Sequence, residues 1–198
     1  PVEGNLEAVA QLLGDNVMPT APMDAGSLIL RALEIADGTP RGNQIRSMLQ
    51  QFVYTDSQGA QRLAPVLENI RIKFAKHSVL RQAMSPKDRG RRLPRGLHRN
   101  GEIIINMEGF THSSDDPMGD LLTILSHELM HPILNSLEQA LKGTTISDAD
   151  RQSVMETVEK IKSLYSFVRK KSNRATSLSS LDEFMIDGVN DPEFINEL

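Results

Sequence analysis

Residues 116–135 read DPMGDLLTILSHELMHPILN, and their spacing sets what must be built around them. Asp116 is a good helix cap and Pro117 suits the first helical position, so a helix is expected to start there. It should run to about Leu141, with Gly143 as its stop. Inside it His127 and His131 lie four residues apart, one turn, on the same side. Two imidazoles so placed can reach one cation. Glu128 borders that side and is placed to hold a water on the cation and take its proton. Ile124, His127, Glu128, His131 and Asn135 share one face, and Leu122, Leu125, Leu129 and Ile133 make the apolar one. With five His in the chain, this pattern should arise by chance in roughly one such chain in a hundred. The helical context therefore weighs as much as the motif. The bland alternative is an amphipathic helix whose two His merely decorate its polar side. Pro132 has no N–H for the carbonyl of Glu128, costs about 3 kcal/mol inside a helix, and predicts a bend just past the second His.

There are no cysteines, so a tightly bound transition metal must use His and carboxylate ligands. Zinc (Zn2+) on three protein ligands keeps one position for water, whose pKa it lowers toward about 7. No His follows His131, and Leu134 and Leu137 stand where a downstream Gly and His would extend the motif. The third ligand is then a carboxylate or an earlier His. Glu183 is the foremost candidate, because Asp187 lies one helical turn beyond it and can accept the outer N–H of a ligand His. Ser180-Leu181-Asp182-Glu183 also reads as a capping box, in which Glu183 would only cap a helix. Asp148 is the rival ligand. His112 reads as a surface or substrate-side residue, and His77 and His98 as solvated.

These residues resemble the zincin metallopeptidases of the gluzincin kind, whose pattern is HExxH on one helix and a Glu, often with Asp four residues later, on a second. The resemblance falls on His127, Glu128, His131, Glu183 and Asp187. A closer likeness is to metallopeptidase domains embedded in large bacteriophage and prophage proteins. There a strand of the form IxIN precedes the HExxH helix, and a segment like EFxxExxxxPEF closes the domain. The corresponding pieces here are Ile103-Ile104-Ile105-Asn106 and the stretch from Glu183-Phe184 to Pro192-Glu193-Phe194. The likeness covers about residues 65–198. It implies an α+β, zincin-like fold, with a small mixed or antiparallel sheet packed on the HExxH helix. It also implies that Gly101–Met107, with Ile103, Ile104 and Ile105, is the edge strand that receives a peptide. The chain departs from the pattern in two ways. No Tyr stands shortly before the closing helix, Tyr165 being the nearest, and Pro132 replaces a small residue.

Upstream of the HELMH helix, Ile70, Ile72 and Phe74 alternate with Arg71, Lys73 and Ala75, a strand signature. Asn100-Gly101 is a strong hairpin turn signal and leads into Glu102–Asn106, a run of branched residues. Residues 1–60 read as a helical N-terminal segment. It comprises a short helix around Leu6–Leu13, one from an Asp24 cap to Ala36, and one over Asn43–Val53. Asp56–Gly59 is a turn, and Gln61–Glu68 reads as one more helix. Residues 85–96 and 108–116 read as loops. After the HELMH helix come a charged helix over Asp148–Lys171, a linker over Ser172–Ser180, and a last helix from near Leu181. The domain division is 1–60 and 61–198.

Apolar residues make up 39% and aromatics 4% of the 198, enough for a core filled by Leu, Ile, Val and Met. No stretch reads as a membrane span or a secretory signal, and a cytoplasmic or virion-associated location is expected. Pro1 in place of Met suggests a chain cut from something longer. From Arg71 to Arg99 there are ten Lys or Arg and one acid, Asp88, while Asp182 to Glu197 is acidic. The basic block reads first as a solvated loop, and otherwise as an attractant for acidic peptide or nucleic acid. The sequence thus points to a zinc-dependent endopeptidase acting on a peptide or protein substrate, in a larger polypeptide or virion assembly. The alternative is a zinc-binding structural domain with weak or lost activity. A nucleic-acid module ranks last, since the basic stretch lacks the interleaved aromatics that stack bases.

Overall fold

The computed structural model describes residues 2–14, 21–36, 42–84, 86–87, 89, 93–109, 116–143, 147–170 and 180–190. His112, most of the linker before the last helix and the Pro192-Glu193-Phe194 segment lie outside them. The chain is mixed α+β and divides into two compact units, Pro1–Pro132 and Ile133–Leu198.

The first unit opens with α1 (Val2–Leu13), a short strand β1 (Met23–Asp24), α2 (Ala25–Ala36) and α3 (Gly42–Gln50). Asp24 starts α2 as expected: its carboxylate accepts from the Ser27 N–H at 2.9 Å and from the Ser27 hydroxyl at 2.7 Å. Ala25, Leu28, Ile29, Ala32, Leu33 and Ala36 are buried along α2, which packs between α1 and α3. The N-terminal segment is also tied into the sheet, because Met23 and Asp24 pair with Ile72 and Arg71.

Gln61–Glu68 is not a helix. Asp56 accepts from the N–H groups of Gln58 and Ala60 and from Arg62 Nε, each at 2.9 Å. These bonds close a hairpin of β2 (Val53–Thr55) and β3 (Gln61–Leu63). A single 3-10 turn, Pro65–Leu67, follows. The turn chemistry of Asp56 and Gly59 (φ +81°) outweighs helical spacing here.

The main sheet has the order β1-β4-β6-β5. β4 (Arg71–Ala75) is parallel to β6 (Glu102–Asn106), and β5 (Gly96–Arg99) is antiparallel to β6. Between β5 and β6, Asn100 (φ +52°) and Gly101 (φ +77°) both adopt left-handed backbone, the two-residue turn that matches strand twist. This topology corrects one expectation. β6 is an interior strand flanked on both sides, and Ile103, Ile104 and Ile105 are core residues exposed by 0%, 3% and 0%. An all-apolar run buries both of its faces, which an edge above a wet cleft does not need. The terminal strands are β1 and β5, and no strand among the described residues pairs with the outer side of β5.

α4 (His77–Ala83), which the sequence reading did not assign, covers one face of this sheet. Its Leu80 packs with Ala75 and Ile104, and Leu93 and Leu97 close the cluster. The register puts Ile72, Phe74, Ile103, Ile105, Gly96 and His98 on the opposite face. At Gly96 and His98 that face meets Glu128 and His131 of α5 (Pro117–Lys142). Asp116 caps α5 by accepting from the Gly119 N–H at 2.9 Å. The helix continues through Pro132, and the two units meet in sequence at that residue. From Met118 to Leu129 it is buried nearly all round, Ser126 included, rather than amphipathic as its spacing implied.

The second unit holds the end of α5, α6 (Asp148–Arg169) and α7 (Leu181–Asn190). Val168 and Phe184 form its core with Ile161, Tyr165 and Leu181. No helix among the described residues is long and apolar enough to cross a membrane.

Candidate metal centre

The HELMH residues occupy the middle of α5, beneath β5. Ligand atoms of His127, Glu128 and His131 all lie within 4.8 Å of one another, so this cluster is able to hold a metal ion. The rings of His127 and His131 stand edge to face with centroids 5.3 Å apart, as one-turn spacing on a helix dictates. The two imidazoles are half-buried and Glu128 is buried.

Glu128 is held there by a glycine. A Cβ placed on Gly96 would lie 2.5 Å from Glu128 Oε1 and 2.6 Å from its Cγ. Gly96 opens β5, and the strand meets the helix at the Glu128 side chain. Two residues on, and therefore on the same face, His98 lies parallel to His131 with ring centroids 6.4 Å apart. His98 was expected to be solvated. Instead its Nε2 is buried with no hydrogen-bond partner. Burial pushes its imidazole below the ordinary 6.5, so it is uncharged at neutral pH. An uncharged imidazole and a glycine are suitable neighbours for a site that is to carry a dication. The signal for His98 was in the sequence: a strand must precede an Asn-Gly hairpin turn, and alternation from Gly96 puts His98 on the inner face.

Asn106 fixes where β5 runs. Its backbone N–H donates to Arg95 O at 2.7 Å, its Nδ2 donates to Pro94 O at 3.2 Å, and its Oδ1 accepts from the Glu108 N–H at 3.2 Å. This is the structural use of the Asn that ends the Ile run. The Arg95–Asn106 hydrogen bond also sets the phase of the antiparallel ladder. Leu97–Ile104 and Arg99–Glu102 are then the hydrogen-bonded pairs, and the N–H and C=O groups of Gly96 and His98 point to the open edge.

In the second unit, Glu183 and Asp187 sit one turn apart on α7, both half-buried. Ser180 caps this helix by accepting from the Glu183 backbone N–H at 3.1 Å, half of the predicted capping box. Asp148 is fully exposed at the start of α6, where it serves the positive end of the helix. Tyr165 is part of the α6–α7 seam, its ring 5.4 Å from Phe184 with Arg169 over it. His77 is exposed at the start of α4, where its N–H donates to Glu108 at 2.6 Å.

No protein family, curated protein or solved structure matches this chain.

Proposed function

We propose that the chain is a zincin-like, zinc-dependent endopeptidase domain. The observation that carries this reading is the His127–Glu128–His131 cluster, with the Glu128 carboxyl buried against the first residue of an open edge strand. The residues fit a zinc ion: two imidazoles, no competing thiolate, and an uncharged third imidazole alongside. Zinc, when bound, supplies a Lewis acid for the scissile carbonyl and acidifies a water. His127 and His131 are its ligands. Glu183 is proposed as the third, with Asp187 accepting the outer N–H of a ligand His. Support for that pair is local to α7, where the two half-buried acids share a face one turn apart, together with the gluzincin resemblance. Glu128 takes a proton from the water as its oxygen bonds to the scissile carbonyl carbon, then delivers that proton to the amide nitrogen, whose C–N bond breaks to release the amine and leave a carboxylate. The outward peptide groups of Gly96 and His98 bind the substrate backbone as an added strand. The resemblance alone carries the reading that the domain belongs to a larger phage-type protein.

The test is a zinc-loaded wild type beside Glu128→Gln. The variant should keep its zinc and lose cleavage of a mixed peptide library. Equal cleavage by both ends the enzyme reading and leaves a zinc-binding structural domain. A wild type that takes up no zinc on loading ends both.

A further inference from the structure

We propose that Arg81, Arg89 and Arg99 form a subsite for carboxylates beside the open edge of β5, so that the peptides taken there are acidic. Cleavage of such peptides rests on the peptidase reading; their binding does not.

The three guanidinium groups gather at the C-terminal turn of α4. Arg99 Nη1 donates to Ala83 O at 2.6 Å and Arg81 Nη1 to Arg89 O at 2.8 Å. Arg89 donates to Met84 O and to Gln82 O, both at 3.4 Å. A helix C-terminus leaves its last carbonyls without intrahelical donors and partly negative, which is why cations collect there. These bonds use one or two of the five N–H groups on each guanidinium. Among the described residues no carboxylate pairs with any of the three. Of the nearby acids among the described residues, Glu102 is engaged with Lys73 at 3.3 Å and Glu108 with the His77 backbone N–H, while Asp88 lies outside the described residues. Among the described residues the cluster is therefore positioned by backbone carbonyls and meets no compensating carboxylate, and all three residues are exposed.

The strand directs what would meet this charge. Side chains alternate along an added strand. Those on the side of Gly96 and His98 face α5. Those on the side of Leu97 and Arg99 emerge toward α4 and its arginines. An extended peptide with acids at every second position satisfies both sides at once. Exposed pairs gain little singly, but three like charges raise encounter rates in a salt-sensitive way. A nucleic-acid strand fits less well, because Phe74 is the sole aromatic among residues 71–109 and is buried.

The experiment uses the full Glu128→Gln chain and fluorescence anisotropy. The probes are an alternating Glu–Val peptide, its Lys–Val counterpart and a single-stranded oligo-dT of similar length. The Glu–Val peptide should bind about tenfold more tightly than Lys–Val, and the difference should collapse near 0.5 M salt. Arg81→Gln with Arg99→Gln keeps donors for the two carbonyls and removes two charges. It should abolish the preference while the melting temperature holds. Should that pair melt early, Arg99→Lys and Arg99→Gln replace it, and the preference must survive only in the first. Equal binding of the two peptides, a preference that survives loss of the charges, or tighter binding of oligo-dT overturns the proposal. A Glu–Val peptide that binds as expected yet resists zinc-loaded wild type supports the subsite and counts against the peptidase reading. Cleavage without acidic preference does the reverse.

Discussion

Gly96 and Glu128 are in direct contact: the space for a side chain at residue 96 is filled by the Glu128 carboxyl, 2.5 Å from where a Cβ would stand. Gly96→Ala must displace either the carboxylate or the strand. Overpacking of this kind costs about 1–3 kcal/mol. The variant should melt several degrees lower, keep its two imidazole ligands, and lose most of any cleavage. Unchanged melting and turnover would show that the contact is slack.

Zinc should stabilise the chain. At a free concentration of about a hundred times Kd the gain is about 2.7 kcal/mol, or roughly 5–10 °C in Tm for a chain of this size. EDTA should reverse it, and His127→Ala or His131→Ala should remove it. The ligand His must be unprotonated, so affinity should fall as pH is lowered. Calorimetry with and without zinc at two pH values checks each point.

Asp187→Asn tests the proposed completion of the site from α7. Loss of an outer hydrogen-bond acceptor typically costs about 10–100-fold in metal affinity, whereas a merely exposed acid would leave zinc binding unaltered. Competition titration against a zinc chelator reads the difference, and Glu183→Gln should cost at least as much.

Ile103→Ala separates a core strand from a substrate edge. Ile103 is fully buried, so truncation should cost about 2–5 kcal/mol. Urea unfolding measures it. A loss of less than 1 kcal/mol would contradict an interior β6.

The Asp24 cap gives a pH signature. The Ser27 N–H, then its hydroxyl, hold the carboxyl below its ordinary 3.8. A depressed folded value means the contribution is present above 3.8 and disappears as pH falls through the lowered value. Asp24→Ala should cost about 1 kcal/mol at pH 7, and the gap to wild type should close in strong acid.

Local signals were legible wherever one residue's chemistry dictates the backbone. Asp24 and Asp116 cap helices, Asn100-Gly101 turns, and two His four apart on a helix converge, because each depends on neighbours within a turn. The helix expected over Gln61–Glu68 failed since the Asp56 carboxylate organises a turn five residues before it. Residue spacing and the lack of cysteine were enough to put His127, Glu128 and His131 on one helical face and to restrict a metal site there to His and carboxylate ligands. Tertiary packing made β5 a terminal strand and β6 an interior one, laid His98 parallel to His131, and seated Glu128 on Gly96. The reason is the range of the forces. Helical spacing is set by hydrogen bonds four residues long, whereas strand order follows from which apolar faces can be covered together.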